Sequence, residues 1–154
     1  SPNLAEAYVQ LGGLAMNQAD MDGCLEWNEK ASRARPLFAV PFGNIGFVHM
    51  QRGELDKAEK SLRRAIKIDP KYVQAMATLG NCLFMKGELE AAEFHSTKAL
   101  EVEPMFGPAM NTLALVAMER GDFAKAKELL ARARETGFEP HPDMVREIEA
   151  ALAK

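Results

Sequence analysis

Apolar residues recur along the chain in short stripes at helical spacing, and glycine or proline marks the break after each stripe. Leu4, Tyr8, Leu11 and Ala15 make the first stripe, within LAEAYVQLGGLAMNQ. The pattern stops at Ala19-Asp20-Met21 and restarts as a helix expected from roughly Asp22 to Ala34, through Leu25, Asn28 and Ala31. Further helices are predicted from about Pro41 to Gln51, from Glu54 or Leu55 to Ile68, over Val73–Met85 and over Leu89–Glu101. Pro41 suits a first turn, where its missing N–H costs nothing. Pro108 can open one more helix in the same way. A last start signal, His141-Pro142-Asp143, precedes a stretch with Met144, Val145, Ile148 and Leu152 on one face and Arg146, Glu147, Glu149 and Lys154 on the other.

These stripes keep a period. Pro36, Pro70 and Pro104 are 34 residues apart, as are Gly53, Gly87 and Gly121, and Ala31, Ala65, Ala99 and Ala133 share the step. A fixed interval of this size marks a repeat array in which each unit packs mainly on its neighbours. The reading is one domain over residues 1–154, with units at about 5–38, 39–72, 73–106 and 107–140 and a capping helix at about 142–153. The triplets Gly53-Glu54-Leu55, Gly87-Glu88-Leu89 and Gly121-Asp122-Phe123 divide the two helices of a unit. Glycine ends one helix in a left-handed conformation, the acid meets the free amides of the next, and the apolar residue plugs the corner. In the first unit Asn28 holds the slot that Leu62 and Leu130 fill elsewhere, so packing there is expected to be wetter or shifted.

Composition narrows the function classes. The 154 residues are 47% hydrophobic and 27% charged, as in soluble globular proteins. A formal charge of −3 gives no electrostatic reason to expect nucleic acid or an anionic membrane as partner. No apolar run approaches the length of a membrane span, and no signal-peptide pattern opens the chain. Pro2 lies 34 residues before Pro36, where a preceding unit would end, so the chain reads as a segment of a longer array. The compartment is left open on these grounds, with the cytoplasm favoured. Cys24 and Cys82 have no pairing pattern, and Cys24 stands where other units carry Ala58, Ala92 and Ala126, so both read as small buried residues.

Each first helix carries an apolar-x-x-aliphatic-small pattern: Tyr8, Leu11 and Gly12; Phe42, Ile45 and Gly46; Met76, Leu79 and Gly80; Met110, Leu113 and Ala114. The small residue lets two helices approach closely, and the alanine rows do the same on the second helix. Together with the period, these residues make the chain resemble the tetratricopeptide repeat (TPR) proteins over residues 5–138. The resemblance implies an all-α, right-handed α–α superhelix of four helix-turn-helix repeats with a C-terminal capping helix. The chain departs from the family pattern in having no tryptophan at the first aromatic position, in Asn28 and Ser96, and in Phe138 in place of the last proline.

Catalytic chemistry finds no support in the residue pattern. His49, His95 and His141 are scattered without Cys, Asp or Glu partners at ligand spacing, no phosphate-binding glycine loop is present, and no cofactor or metal is expected. The basic run from Lys57 to Lys67 carries a Glu59–Arg63 pair at i,i+4 and no interleaved aromatics, and it reads as a solvated face. Trp27 is read as packing against a neighbouring or upstream repeat, in preference to a contact residue for a partner.

What remains is the inner surface that the resemblance implies, lined by the first helices. Its positions in this chain are Val9, Met16 and Asn17; Phe47, Met50 and Gln51; Asn81, Phe84 and Met85; and Asn111, Leu115, Met118 and Glu119. Met16, Met50, Phe84 and Met118 form one stripe, either core filling or an adaptable apolar contact surface. The expected partner is a protein or peptide, held as an apolar segment or helix with the asparagines pairing to its backbone, and neither nucleic acid nor membrane insertion is expected. Glu119 and the absence of Lys or Arg at these positions argue against a clamped C-terminal carboxylate. Two other roles stay open: a chaperone or assembly factor for a secreted or filament-forming protein, and a self-associating scaffold that uses the apolar stretch Leu37 to Phe42. The groove reading predicts that Phe84→Ala and Met50→Glu abolish binding and leave the fold intact.

Overall fold

A computed structural model describes residues 3–154 of the chain. Among the described residues there are nine α-helices and no strand: α1 (Leu4–Asn17), α2 (Met21–Ala34), α3 (Ala39–Gln51), α4 (Leu55–Ile68), α5 (Val73–Met85), α6 (Leu89–Val102), α7 (Gly107–Glu119), α8 (Phe123–Glu135) and α9 (Pro142–Leu152). The expected helices are all present: α4 and α5 keep the expected ends, and α2, α3 and α6 shift by one or two residues at one end. α3 begins at Ala39, two residues earlier than the proline suggested, because Pro41 is accommodated inside the first turn, where amides have no intrahelical partner.

The chain divides into two compact units, Ser1–Ala75 and Met76–Lys154. In the first, α1 packs on α2, α3 packs on α4, and α2 also lies against α3. In the second, α7 packs on α8, α6 lies against α7, and α9 closes on α8.

Helix pairing follows from the small residues. A Cβ on Gly12 would sit 2.4 Å from Asn28 Nδ2, one on Gly46 would sit 2.5 Å from Leu62 Cγ, and one on Gly80 would sit 2.3 Å from Ser96 Oγ. Each glycine therefore meets its partner helix at the same register position. The alanine rows complete the contact: Ala31, Ala65, Ala99 and Ala133, and Ala58, Ala92 and Ala126, have no exposed surface. Asn28 keeps the register of the leucines, fully buried, and solves its polarity locally. Its Nδ2 donates to the Cys24 carbonyl at 2.8 Å, and its Oδ1 accepts from Asn44 Nδ2 at 2.9 Å.

The turns within the helix pairs share one closure. Ala19, Gly53, Gly87 and Gly121 all have positive φ, at 58°, 74°, 81° and 76°. In each case the amide of that residue bonds back to Met16, Met50, Phe84 or Met118, and the next amide reaches one residue further, to Ala15, His49, Leu83 or Ala117. This pair of bonds is the Schellman closure, which satisfies helix-end carbonyls. The acid that follows is the N-cap of the next helix, but acid length matters. Asp20 accepts from the Gly23 amide at 2.8 Å and Asp122 from the Lys125 amide at 3.1 Å, whereas Glu54 and Glu88 make no side-chain cap.

The second unit ends in a cluster of Ala126, Leu129 and Leu130 of α8 with Met144 and Ile148 of α9. The charged face of α9 stays in solvent, so this helix covers the apolar side that α8 would otherwise expose.

Candidate functional site

The expected contact residues sit on the first helix of each pair, and their exposure is uneven. Asn17, Gln51, Met85 and Glu119 are the last residues of α1, α3, α5 and α7, and all four are exposed at the entrance to the turn. Between one and eight residues earlier, Val9, Met16, Phe47, Asn81, Phe84, Asn111, Leu115 and Met118 are half-buried. Met50 is only 5% exposed and belongs to the core.

The stripe of Met16, Met50, Phe84 and Met118 is thus partly core filling. Met16 packs against the cluster of Ala15, Cys24 and Val48, while Leu115 and Met118 pack against the cluster around Ala114 and Ala117. This changes one expectation. Met50→Glu would bury a charge and unfold the first unit, so it does not probe a surface. Met85, at 50% exposure, offers the accessible apolar side chain on α5.

In the second unit, α7 carries Asn111, Leu115 and Met118 at i, i+4 and i+7, which places them on one helix face. The Asn111 Oδ1 is buried and has no hydrogen-bond partner. An unpaired buried acceptor costs about 1–3 kcal/mol.

The other residues that drew attention in the sequence have structural surroundings. His49 is largely buried, and its Nδ1 lies 3.3 Å from Glu54 Oε1, which belongs to the carboxylate that also takes Lys57 Nζ at 3.0 Å. These contacts, Lys57 first and His49 second, hold the Glu54 carboxyl below its ordinary range. Burial pushes the Cys24 thiol up, against a smaller opposing effect of Asn28, which disfavours the reactive thiolate. Trp27 packs in its own helix pair and also against the cluster of Ala15, Cys24 and Val48, the last from α3. Its ring stacks on Tyr8 with centroids 5.7 Å apart, and Lys30 Nζ lies 4.4 Å from the Trp27 ring centroid. The Arg63–Glu59 ion pair of the basic run forms at 3.2 Å. Among the described residues no group of three or more His, Cys, Asp or Glu side chains is placed to hold a metal, and no helix is long and apolar enough to cross a membrane.

A feature that the sequence reading passed over is Phe94 on α6. It is an exposed aromatic, set edge-on to His95 with Lys98 Nζ 5.5 Å from its ring. The cation four residues on was the available signal.

The helix pairs, their small-residue contacts and their common turn can now be set beside known proteins. The tetratricopeptide repeat family profile matches residues 49–95, from the end of α3 into the first half of α6. The fold continues that match on both sides. A thermophilic TPR protein of Thermus thermophilus, TTC0263, superposes with a TM-score of 0.79 at 19% identity, covering 100% of this chain and 84% of its own. The chain has the tetratricopeptide-repeat fold. Among other TPR-like structures, MamA gives a TM-score of 0.74 at 23% identity, over 89% of this chain and 80% of that one. The first TPR of Spaghetti (RPAP3), solved with an HSP90 peptide, SRMEEVD, gives 0.74 at 22%, over 77% of this chain and 97% of that one. At these identities the shared property is the fold. No curated protein matches the sequence. Within the TPR pattern, the departures at Asn28 and Ser96 leave the register intact, since both residues are fully buried against their glycines.

Proposed function

We propose that this chain is a non-catalytic interaction module that binds an apolar peptide or helix over the first helices of its repeats. The observation that carries the reading is the α7 face, where the half-buried Asn111, Leu115 and Met118 stand in line. An asparagine acceptor for a backbone amide, beside flexible apolar side chains, is the combination that a bound segment uses for affinity and for adaptable fit. On α5, Asn81, Phe84 and the exposed Met85 repeat the combination. The peptide bound to the RPAP3 domain supports the reading at the level of the fold.

The test is an affinity pull-down with the wild-type chain against Phe84→Ala, Met85→Glu and Asn111→Ala, with circular dichroism melts run in parallel. The expected result is a partner retained by the wild type and lost from folded variants. A partner that stays bound to all three sinks the proposal.

One observation favours self-association as a second reading. Leu4, Leu11 and Leu14 are 41%, 38% and 57% exposed on one side of α1, whereas Ile45 and Val48, the register mates of Leu11 and Leu14, are buried on α3. Sedimentation at high concentration decides it, because a monomer there removes the idea.

A further inference from the structure

The first unit contains an open recess of about 630 Å³ between α3 and α4, floored by Phe42 and rimmed by Lys57, Lys60, Arg64 and Lys67 around Ser61. Its existence has a cause in the repeat register. In the preceding pair the same place is filled, because Tyr8 stands where Phe42 does and stacks on Trp27, the register mate of Ser61. A serine there leaves out the indole and opens the space over the Phe42 ring.

The charge around this space also departs from the other repeats. At the register of the four rim cations the first repeat has Gly23, Glu26, Lys30 and Arg33, the third has Ala91, Phe94, Lys98 and Glu101, and the fourth has Lys125, Glu128, Arg132 and Glu135. An unbroken cationic row occurs in the second repeat alone. Lys57 is paired with Glu54 at 3.0 Å, whereas no carboxylate among the described residues pairs with Lys60, Arg64 or Lys67. Arg64 holds its guanidinium 5.7 Å from the Phe42 ring, which fixes one charge beside the apolar floor. Along α4 the row runs about 15 Å at 1.5 Å per residue, a line and not a point, which matches an extended chain and not a single phosphate. Same-side carboxylates of an extended peptide recur about every 6–7 Å, close to the rise of one helical turn.

We propose that this recess is a second binding site, for an extended acidic peptide segment carrying one aromatic or large aliphatic side chain. That side chain takes the place that the Trp27 indole has in the first repeat and rests on Phe42. Flanking carboxylates pair with Lys60, Arg64 and Lys67. An acidic peptide is favoured over nucleic acid because a single ring offers no stacking ladder and the chain as a whole carries a charge of −3. Phe42 and Phe47 leave α3 roughly 140° apart, so this site does not share its surface with the apolar contact residues proposed above and does not depend on them.

The probe is a fluorescein-labelled peptide of aspartate and glutamate around one central phenylalanine, titrated with the full chain and read by fluorescence anisotropy. Wild type is expected to bind saturably, and more weakly as salt is raised. Ser61→Trp, which fills the recess and leaves the charge unchanged, is expected to weaken binding about tenfold or more, and so is Lys60→Gln with Lys67→Gln. Phe84→Ala is expected to have no effect, which separates this site from the α5 and α7 surface. Should Ser61→Trp fail to fold, Ser61→Leu fills the space with the residue that Leu129 provides in the fourth repeat. Three results overturn the proposal: unchanged binding by a folded recess-filling variant, equal binding of a peptide with glycine in place of the phenylalanine, or tighter binding of a labelled oligothymidine.

Discussion

In the α1/α2 pair Gly12 faces Asn28, Ala19 makes the turn, Asp20 caps the second helix, and Tyr8 and Trp27 fill the outer crevice. In the α3/α4 pair those places hold Gly46 against Leu62, Gly53, an uncapping Glu54, and Phe42 with Ser61 around an open recess. Both pairs reach the same packing. The shared elements are the small residue on the first helix, the alanine contacts on the second, and a left-handed residue between them. Those set how closely the helices approach and how the chain reverses. The facing residue, the cap and the crevice are free to vary, and surface chemistry is therefore available to diverge there.

This comparison can be broken most strongly at Leu62. Leu62→Ala leaves a void in a fully buried contact and should cost about 2–5 kcal/mol by urea denaturation. Asn28→Ala at the matching site should cost less, about 1–3 kcal/mol, mainly because Asn44 loses its partner. Next in size is Gly46→Ala, whose Cβ would press on Leu62 and on the Ala58 carbonyl, and a loss of about 1–3 kcal/mol is expected. A neutral result would show that the helix pair spreads without penalty. The turn gives a smaller and oppositely signed pair. Ala19→Gly should stabilise by up to about 1 kcal/mol and Gly53→Ala should destabilise by about as much, both read from melting curves.

The smallest effect concerns Glu54. Its carboxyl is held below the ordinary value of 4.5 by Lys57 and then His49, so its contribution is fully present above that value. It is lost as pH falls through the lowered pKa. Glu54→Gln should therefore differ slightly from wild type at neutral pH and converge with it in acid. Melts compared across that range check the sign.

The period, the alanine rows and the turn glycines were legible because each repeats a single steric requirement with a single residue type. Ala19 was legible in principle, since counting 34 residues back from Gly53 lands on it, but alanine does not announce a left-handed conformation. The burial of Met50 was not legible. It shares its register with Met16 and Met118, and the depth at that position depends on the bulk of surrounding side chains, which periodicity does not encode. The recess was hidden for a related reason. Its charges looked like an ordinary solvated face, and the missing volume at Ser61 shows only against the filled crevice at Trp27.

The turn glycines have one more property. A side chain at Gly53, Gly87 or Gly121 would meet nothing within 4 Å, so no neighbour requires glycine there, and only the sign of φ does. Their constraint is one of handedness. A mirror-image residue prefers the conformation that an ordinary one resists. D-alanine introduced at Gly53 by chemical ligation should keep the turn and, by narrowing the unfolded chain, make it firmer than glycine does.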